Sequence, residues 1–317
     1  MRKILSVICS LVLCPVMVTI LFSLLFEEIQ IGTGGNQVEN HLLGKGILIE
    51  IQGLYKEIDV EEYVLGVLPG VIPADYDKTS LMVQAILIRT NILKEMEEKK
   101  TSDAEDLSYQ YLSEEDRKVI WGNSLFEQNN QKMEQAVVQT AGKVIRSENQ
   151  LITAMYHEVS IGKTASAKEI LGEDISYLQS VESSKDVESK RYMNLIVYSK
   201  EELIKILELE NTELSVVVAE NTENGFVKQV KINDKTYSGE EIMDMLSLSS
   251  INFYVEKVEA GYRFVCLGKG NCLGLSQYGA NRMALDGKEV EEIIQYYFKN
   301  VSIEKYEKNE ESGTFYP

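Results

Sequence analysis

The sequence predicts an α+β fold, because helical and alternating segments are mixed along the chain without a repeating strand-helix-strand unit. The chain has 317 residues, of which 44% are apolar, so it can bury a core. A long uncharged run, from Ile4 to Phe26, stands before all of these segments. The sequence therefore predicts a mixed sheet-and-helix ectodomain behind one N-terminal transmembrane helix.

The uncharged run has the features of a membrane anchor. It exceeds the roughly 20 apolar residues that span a bilayer, and no small-residue cleavage site follows it. Arg2 and Lys3 precede it and Glu27 and Glu28 follow, which places the rest of the chain outside the cytoplasm. We expect a single-pass protein of the cell membrane, with a cytoplasmic stub (1–3), an anchor (4–26) and a tether (27–45).

The charge balance excludes nucleic acid as a partner. Fifty acidic residues against 32 basic ones give a net charge of −18. Such a chain repels phosphate backbones and has no basic surplus with which to release their counterions.

The first half of the domain predicts strands that lead into helices. Residues 47–59 alternate as a strand or two, and a short helix follows at residues 60–68. The rigid turn "LGVLPGVIPADYD" then holds two of the four prolines, Pro69 and Pro73. A second helix is expected at residues 79–98, a polar, turn-rich stretch at residues 101–131, and a helix that ends near Gly142 before a strand.

The second half continues this mixture. "NQLITAMYHEV" predicts a strand and "SKEELIKILEL" a helix. Two strands joined by a glycine turn come next, then a helix after Ser238 and a hairpin at residues 251–270. "SQYGANRMAL" and "EVEEIIQYYF" predict two final helices, separated at Gly287.

Arg89 stands out within the second predicted helix. At about 100° per residue it falls on the apolar face, so its guanidinium points inward and needs a partner. Either it contacts a functional site, or it forms a buried ion pair or caps backbone carbonyls. The sequence leaves both alternatives open.

Several enzyme classes fail on spacing. "IGKT" lacks the first P-loop glycine, "GLSQYG" has Tyr278 where a nucleophile elbow needs glycine, and "GKGNCLG" misplaces the third glycine of a dinucleotide fingerprint. The chain has 2 histidines, of which one lies in the tether. We therefore expect no metal and no cofactor, which leaves carboxylate chemistry or binding without chemistry.

Cys266 and Cys272 are the cysteines outside the anchor. They flank "LGKGN" and could close a small disulfide loop. Two buried thiols on adjacent segments are an equally good interpretation.

Three stretches together resemble the SpoIID/LytB family of bacterial cell-wall proteins. "EEYVLGVLPGVIPADYDKTSLMVQAILIRT" is similar to its EEYV-x-G-V-x-x-x-E-M-P-A segment and A-R-T helix. "AVVQTAGKVI" through "YLQSVES" matches its second block, which contains H-S-x-S-G-G-x-T. "GKGNCLGLSQYGANRMAL" resembles its glycine-rich G-M-S-Q-Y-G-A block. The resemblance covers residues 46–305, before a tail at residues 306–317.

The resemblance implies a membrane-anchored, outward-facing domain that cuts peptidoglycan glycan strands as a lytic transglycosylase. It also implies a role in sporulation, during engulfment, beside a cell-wall amidase. Glycan strands and that amidase are therefore the expected partners. Some relatives use zinc, but no cysteine or second histidine is near His157 in the sequence, so none is expected here.

The chain departs from the family at the catalytic acid. Alignment on Pro73-Ala74 places Val71 where the family has its catalytic glutamate. Further departures are Asn91, Ile161, Asn271 and Cys272; the retained residues are Arg89, His157, Ser276, Gln277, Tyr278 and Gly279. Because valine cannot transfer a proton, the sequence predicts a catalytically degenerate scaffold.

The remaining candidates concern binding or a replacement acid. The residues expected to contact glycan or a partner are Tyr76, His157, Thr164, Asn271, Ser276, Gln277 and Tyr278. Ser276 could equally be only a helix cap, and His157 a hydrogen-bonding strand end. The competing hypothesis is an active lytic transglycosylase whose acid is Glu158 or Asp75.

Overall fold

The computed structural model describes residues 46–51, 53–209 and 213–306. This part of the chain mixes helices with several small sheets, which confirms the α+β prediction. The predicted stub, anchor and tether, and the tail after residue 306, lie outside the described residues. Within those residues, no helix is long and apolar enough to cross a membrane.

The described residues lie in one compact unit, within which residues 193–267 have an apolar core of their own and a further cluster joins that segment to the rest. We call residues 193–267 the inserted lobe and the remainder the main lobe. The main lobe contains β1 (Gly46–Ile51), β2 (Leu54–Asp59), α1 (Val60–Val71), α2 (Lys78–Lys99), α3 (Glu114–Gln139), β3 (Lys143–Ser147), β4 (Gln150–Leu151), β5 (Tyr156–His157) and α4 (Ala167–Ile170). It resumes after the inserted lobe.

The inserted lobe contains β6 (Met193–Tyr198), α5 (Lys200–Ile206), β7 (Val216–Asn221), β8 (Val227–Ile232), β9 (Lys235–Ser238), α6 (Gly239–Met245), β10 (Phe253–Val258) and β11 (Gly261–Leu267). Its strands form two antiparallel sheets, ordered β10-β11-β6 and β7-β8-β9. The main lobe then closes with β12 (Leu275–Ser276), α7 (Gln277–Leu285), α8 (Val290–Tyr297) and β13 (Ser302–Lys305).

The predicted helices are present, with two corrections at α1 and α3. Helix α1 runs to Val71 rather than Leu68, although Pro69 lacks the N–H that the last turn would use. The helix persists because the φ of proline is helical and the Ile72 N–H still bonds to the Leu68 carbonyl, at 3.2 Å.

Helix α3 begins within the stretch that was expected to be turn-rich. Ser113 and Asp116 form a capping box, and acidic residues fill the first turn, so the polar sequence is a helix start. Gly122 interrupts the regular pattern with a φ of 67°, which a residue with a side chain rarely adopts. The sequence pattern indicated a helix only after residue 131, so it missed residues 114–131 of α3.

Two short connectors join the lobes. The Gly268 N–H donates to the Tyr192 carbonyl at 2.7 Å, so the entering and leaving segments are bonded together. Lys269 continues the leaving connector and pairs with Val159 through backbone bonds in both directions, of 2.7 and 3.2 Å. The connectors therefore dock against the segment that follows β5.

A buried ion pair holds α1, α2 and the start of β3 together. The Arg89 guanidinium is fully buried and donates to both Glu61 carboxylate oxygens, at 2.8 and 2.5 Å. It also donates to the Lys143 carbonyl at 3.2 Å, and the Gly142 N–H donates to Glu61 at 2.9 Å. Of the two alternatives for Arg89, the structure contains the buried ion pair.

We expect Arg89→Met to lower the free energy of unfolding by about 3–5 kcal/mol, because it leaves the Glu61 charge buried without its partner. Glu61→Leu combined with Arg89→Met should recover part of that loss, since no unpaired charge remains. Urea unfolding followed by circular dichroism measures both.

The matched control for this pair is Arg263→Met. Arg263 contacts Glu256 at 3.2 Å, but both side chains are largely exposed, so the loss should stay below about 1 kcal/mol. Equal losses for Arg89→Met and Arg263→Met would contradict a structural role for the buried pair.

Candidate functional site

A groove of about 500 Å³ lies at the centre of the main lobe, and we call it the central groove. Its floor comes from the end of α1 and the turn after it, residues 69–74. The walls come from α3, from β5 and its following residue, from the entering connector and from α7, which supply Ile120, Trp121, Tyr156, His157, Glu158, Arg191 and Gln277. Segments far apart in sequence thus meet at one site.

The floor position that the resemblance assigns to a catalytic glutamate is occupied by the Val71 hydrocarbon side chain. The Gln277 amide donates to the Val71 carbonyl at 3.0 Å and to the Gln84 side-chain oxygen at 3.2 Å. The floor is therefore tied to both α2 and α7, but Val71 has no group that can transfer a proton.

The proline-rich turn is held from below by a lysine of α3. Lys132 donates to the Ala74 carbonyl at 3.0 Å and also to the Tyr76 carbonyl. At the end of the turn, Asp77 caps α2 by accepting from the Thr79 N–H at 2.8 Å. Because the turn is fixed at both ends, the groove floor is preformed.

His157 is a buried, neutral imidazole next to the groove. Its Nδ1 bonds to the Leu273 carbonyl at 3.0 Å, which fixes Nδ1 as the donor. Burial lowers the pKa of His157 to about 4, although that hydrogen bond opposes the shift. Nε2 is buried and bonds to no other described residue.

The glycine that follows the leaving connector allows His157 to pack closely. Gly270 has a φ of 104°, and a Cβ built there would lie 2.7 Å from the His157 Cβ. Any other residue here would clash with the His157 Cβ and would take up a strained backbone conformation.

Glu158 lines the same groove as Val71, but two cations hold its carboxylate. Arg191 bonds to one oxygen, and the Lys269 Nζ lies 2.5 Å from the other. Both cations come from the lobe connectors, and the Glu158 side chain is only 17% exposed. Paired in this way, Glu158 is stabilised as a charged carboxylate rather than as a proton donor.

Asp186 is a buried carboxyl group that the sequence did not single out. Burial raises the pKa of Asp186, while hydroxyl groups of Ser160, Ser276 and Ser183 oppose that shift. The Ser160 N–H donates to it at 2.7 Å. It lies outside the groove lining, and a lone aspartate in the polar stretch "SSKDVES" carries no local signal that could have identified it.

Arg89 is absent from the groove lining because it is committed to Glu61 in the core. Thr164 is also buried elsewhere, where its hydroxyl accepts from the Val181 N–H at 3.0 Å. Asp75 is exposed on the turn. These three predicted residues are therefore not brought together at the groove.

Other predicted residues support the groove from nearby. Ser276 caps α7 by accepting from the Gly279 N–H at 3.1 Å, and the Tyr278 N–H donates to the Glu158 carbonyl at 3.1 Å. Asn271 accepts from the Leu273 N–H at 3.1 Å. Burial raises the pKa of Tyr76 to about 12, while the positive charge of nearby Arg191 opposes that shift.

Cys266 and Cys272 are buried free thiols, so the disulfide alternative is not formed. Cys266 belongs to the core of the inserted lobe, whereas Cys272 packs in a separate cluster with Ala165, Phe226 and Leu273. Cys272 has a φ of 60°, the left-handed region that suits the glycine it replaces.

The zinc that some relatives use does not fit the described residues. No three histidine, cysteine or acidic side chains among them lie close enough to share a metal ion. His157 offers a free nitrogen, but burial raises the pKa of the Cys272 thiol to about 12, which disfavours a thiolate ligand.

Comparison with known proteins identifies close relatives. Residues 51–146 match the family model described as stage II sporulation protein. The chain is 33% identical to stage II sporulation protein D of Bacillus subtilis over 258 residues, 78% of this chain and 75% of that protein. It is 31% identical to the Bacillus amyloliquefaciens protein of the same name, with the same coverage of 78% and 75%.

A more distant relative is the amidase enhancer of Bacillus subtilis. Identity is 24% over 76% of this chain, which corresponds to 40% of that protein. The two relationships together match the family that the three sequence blocks indicate.

The imidazole of His157 should make stability depend on pH. In the unfolded chain it takes up a proton below about pH 6.5, whereas the folded protein keeps it neutral down to about pH 4. The contribution of the neutral His157 to the free energy of unfolding is therefore fully present above about pH 6.5. It is lost as the pH falls toward about 4, by up to about 3 kcal/mol.

Urea unfolding of wild type and His157→Gln across this pH range tests that expectation. The wild type should lose more stability than the variant on acidification. Parallel pH profiles would contradict the assignment of a neutral, buried imidazole.

Proposed function

The chain belongs to the SpoIID family of stage II sporulation proteins, and from this premise we propose that it binds peptidoglycan glycan strands without cutting them. Family membership supports a cell-wall function related to sporulation. The observation that carries the proposal of a degenerate enzyme is Val71, a hydrocarbon on the groove floor at the position of the family's acid.

The groove has the chemistry of a sugar-binding site. Trp121 and the two prolines give apolar surfaces on which sugar rings can stack. The same groove is lined by Glu158 and Arg191, whose polar groups can hydrogen-bond sugar hydroxyls or N-acetyl groups. The groove thus combines apolar walls with a few fixed polar groups, as ligand sites generally do.

The location of the protein is part of the same proposal. The apolar run at residues 4–26 would anchor it in the cell membrane, with the described lobes outside the cytoplasm. There it would act in peptidoglycan remodelling during engulfment. The similarity to an amidase enhancer supports a partner role toward a cell-wall amidase.

The competing hypothesis is an active lytic transglycosylase that uses Glu158. It is favoured by one observation, the position of Glu158 in the same groove as Val71. Against it, a general acid needs a carboxyl group that is protonated at working pH. Contacts with Arg191 and Lys269 favour the ionised form of Glu158 instead.

We expect the wild-type protein to leave no clearing on isolated sacculi in a zymogram, and Val71→Glu to produce clearing. The introduced carboxyl group would stand among Pro69, Pro73 and Trp121, an apolar setting that raises a carboxyl pKa. Val71→Gln is the matched control, because it has the same shape without a proton to transfer. Clearing by the wild type would contradict the proposal that the site has lost its catalytic acid.

Glu158→Gln separates the two hypotheses. If Glu158 were the acid, wild-type clearing should fall by about a hundredfold or more in the variant. If the site is degenerate, neither the wild type nor Glu158→Gln clears sacculi. In that case the activity gained by Val71→Glu should also survive the added substitution Asp75→Asn. Loss of wild-type clearing on Glu158→Gln would establish the active enzyme.

A further inference from the structure

One end of the central groove carries positive charge. Arg191 lines the groove and is 58% exposed, and Lys269 stands behind it at 46% exposed. Glu158, bonded to both, is the acidic side chain in the groove lining. This three-residue cluster therefore has one positive charge in excess, in a chain whose net charge is −18.

The cluster is held in place by backbone as well as by charge. The connectors that carry Arg191 and Lys269 are joined by the bond from Gly268 to Tyr192. The Glu158 N–H also donates to the Lys269 carbonyl, at 3.0 Å. The positive groups are thus fixed at the groove end instead of moving freely in solvent, which favours binding.

The Arg191 guanidinium has donors to spare. Within the part of the chain that the structure describes, its side chain bonds to Glu158 through Nη1. A guanidinium has five N–H donors and can take carboxylates on more than one edge. Burial lowers the pKa of Lys269, and the positive charge of nearby Arg191 lowers it further.

We infer that Arg191 forms a carboxylate-binding subsite at this end of the central groove, through which the protein distinguishes acidic glycan from neutral glycan. The inference rests on the proposed function and adds the feature of the ligand that is recognised. In peptidoglycan the carboxylate could be the lactyl group of a bare muramic sugar or an acidic group of an attached peptide. Trp121, which lines the same groove, would contact the sugar rings.

The single tryptophan of the chain reports directly on this groove, because Trp121 lines it. Its fluorescence can be titrated in the purified full-length chain, in detergent, with three glycan fragments of equal length. The first is a neutral chito-oligosaccharide, the second contains bare muramic residues, and the third contains muramic residues that carry peptides.

The wild type should bind at least one acidic fragment about five- to tenfold more tightly than the neutral one, as expected for one charge-assisted contact that is partly exposed. Tighter binding of the second fragment identifies the lactyl carboxylate, and tighter binding of the third alone identifies the peptide. Both results support the subsite. Equal dissociation constants for all three overturn it while leaving the proposed function intact.

Variants assign the preference to individual groups. Arg191→Gln should reduce the ratio of dissociation constants to about one, whereas Arg191→Lys should retain most of it, since the charge remains. Glu158→Gln should increase the ratio, because it removes the anion that competes for both cations. Arg263→Gln, which alters an arginine of the inserted lobe outside the groove lining, is the matched control and should leave the ratio unchanged.

Two further outcomes are informative. A preference that survives Arg191→Gln overturns the subsite. If no fragment, neutral or acidic, changes the Trp121 signal at millimolar concentration, glycan binding itself fails and the inference falls with it. Circular dichroism of each variant shows whether a change in binding comes from the groove or from loss of fold.

Discussion

The ion pair between Glu61 and Arg89 is the constraint on which the rest of the structure depends. Arg89 of α2 binds Glu61 in the first turn of α1, and Glu61 also accepts from the Gly142 N–H before β3. Because these groups are buried, no water can replace a lost partner. The same helix α2 places Gln84 against Gln277 and, through Asn91, bonds the Ala154 backbone that leads into β5. One helix thus sets the distance between the groove floor and its walls.

Glycan cleavage by a general acid requires a carboxyl group in an apolar environment, and the groove has these two features at different residues. The apolar position that would raise the pKa of an acid is filled by Val71, which has no proton. The carboxylate that does face the groove, Glu158, is held by Arg191 and Lys269 in its charged form. The arrangement suits recognition of a ligand by shape, hydrogen bonds and charge.

The charged cluster also connects the groove to the inserted lobe. Arg191 and Lys269 belong to the two segments by which the chain enters and leaves that lobe, and Glu158 belongs to the main lobe. Glu158, which lines the groove, is therefore the side chain that bonds to both connectors. A ligand that contacts Arg191 would touch one of the two connectors, which Glu158 links to the other.

The sequence by itself determined the α+β class, most helix positions and the inward direction of Arg89, because periodicity and helix caps are local properties. It missed residues 114–131 of α3, a polar stretch in which Gly122 breaks the helical pattern. Only the tertiary structure decided that Glu61 is the partner of Arg89, that Arg191 and Lys269 neutralise Glu158, and that Cys266 and Cys272 lie in separate clusters. Those contacts join residues that are distant in the chain or divided between two cores, and side-chain pairing of this kind is set by packing, which no local pattern encodes.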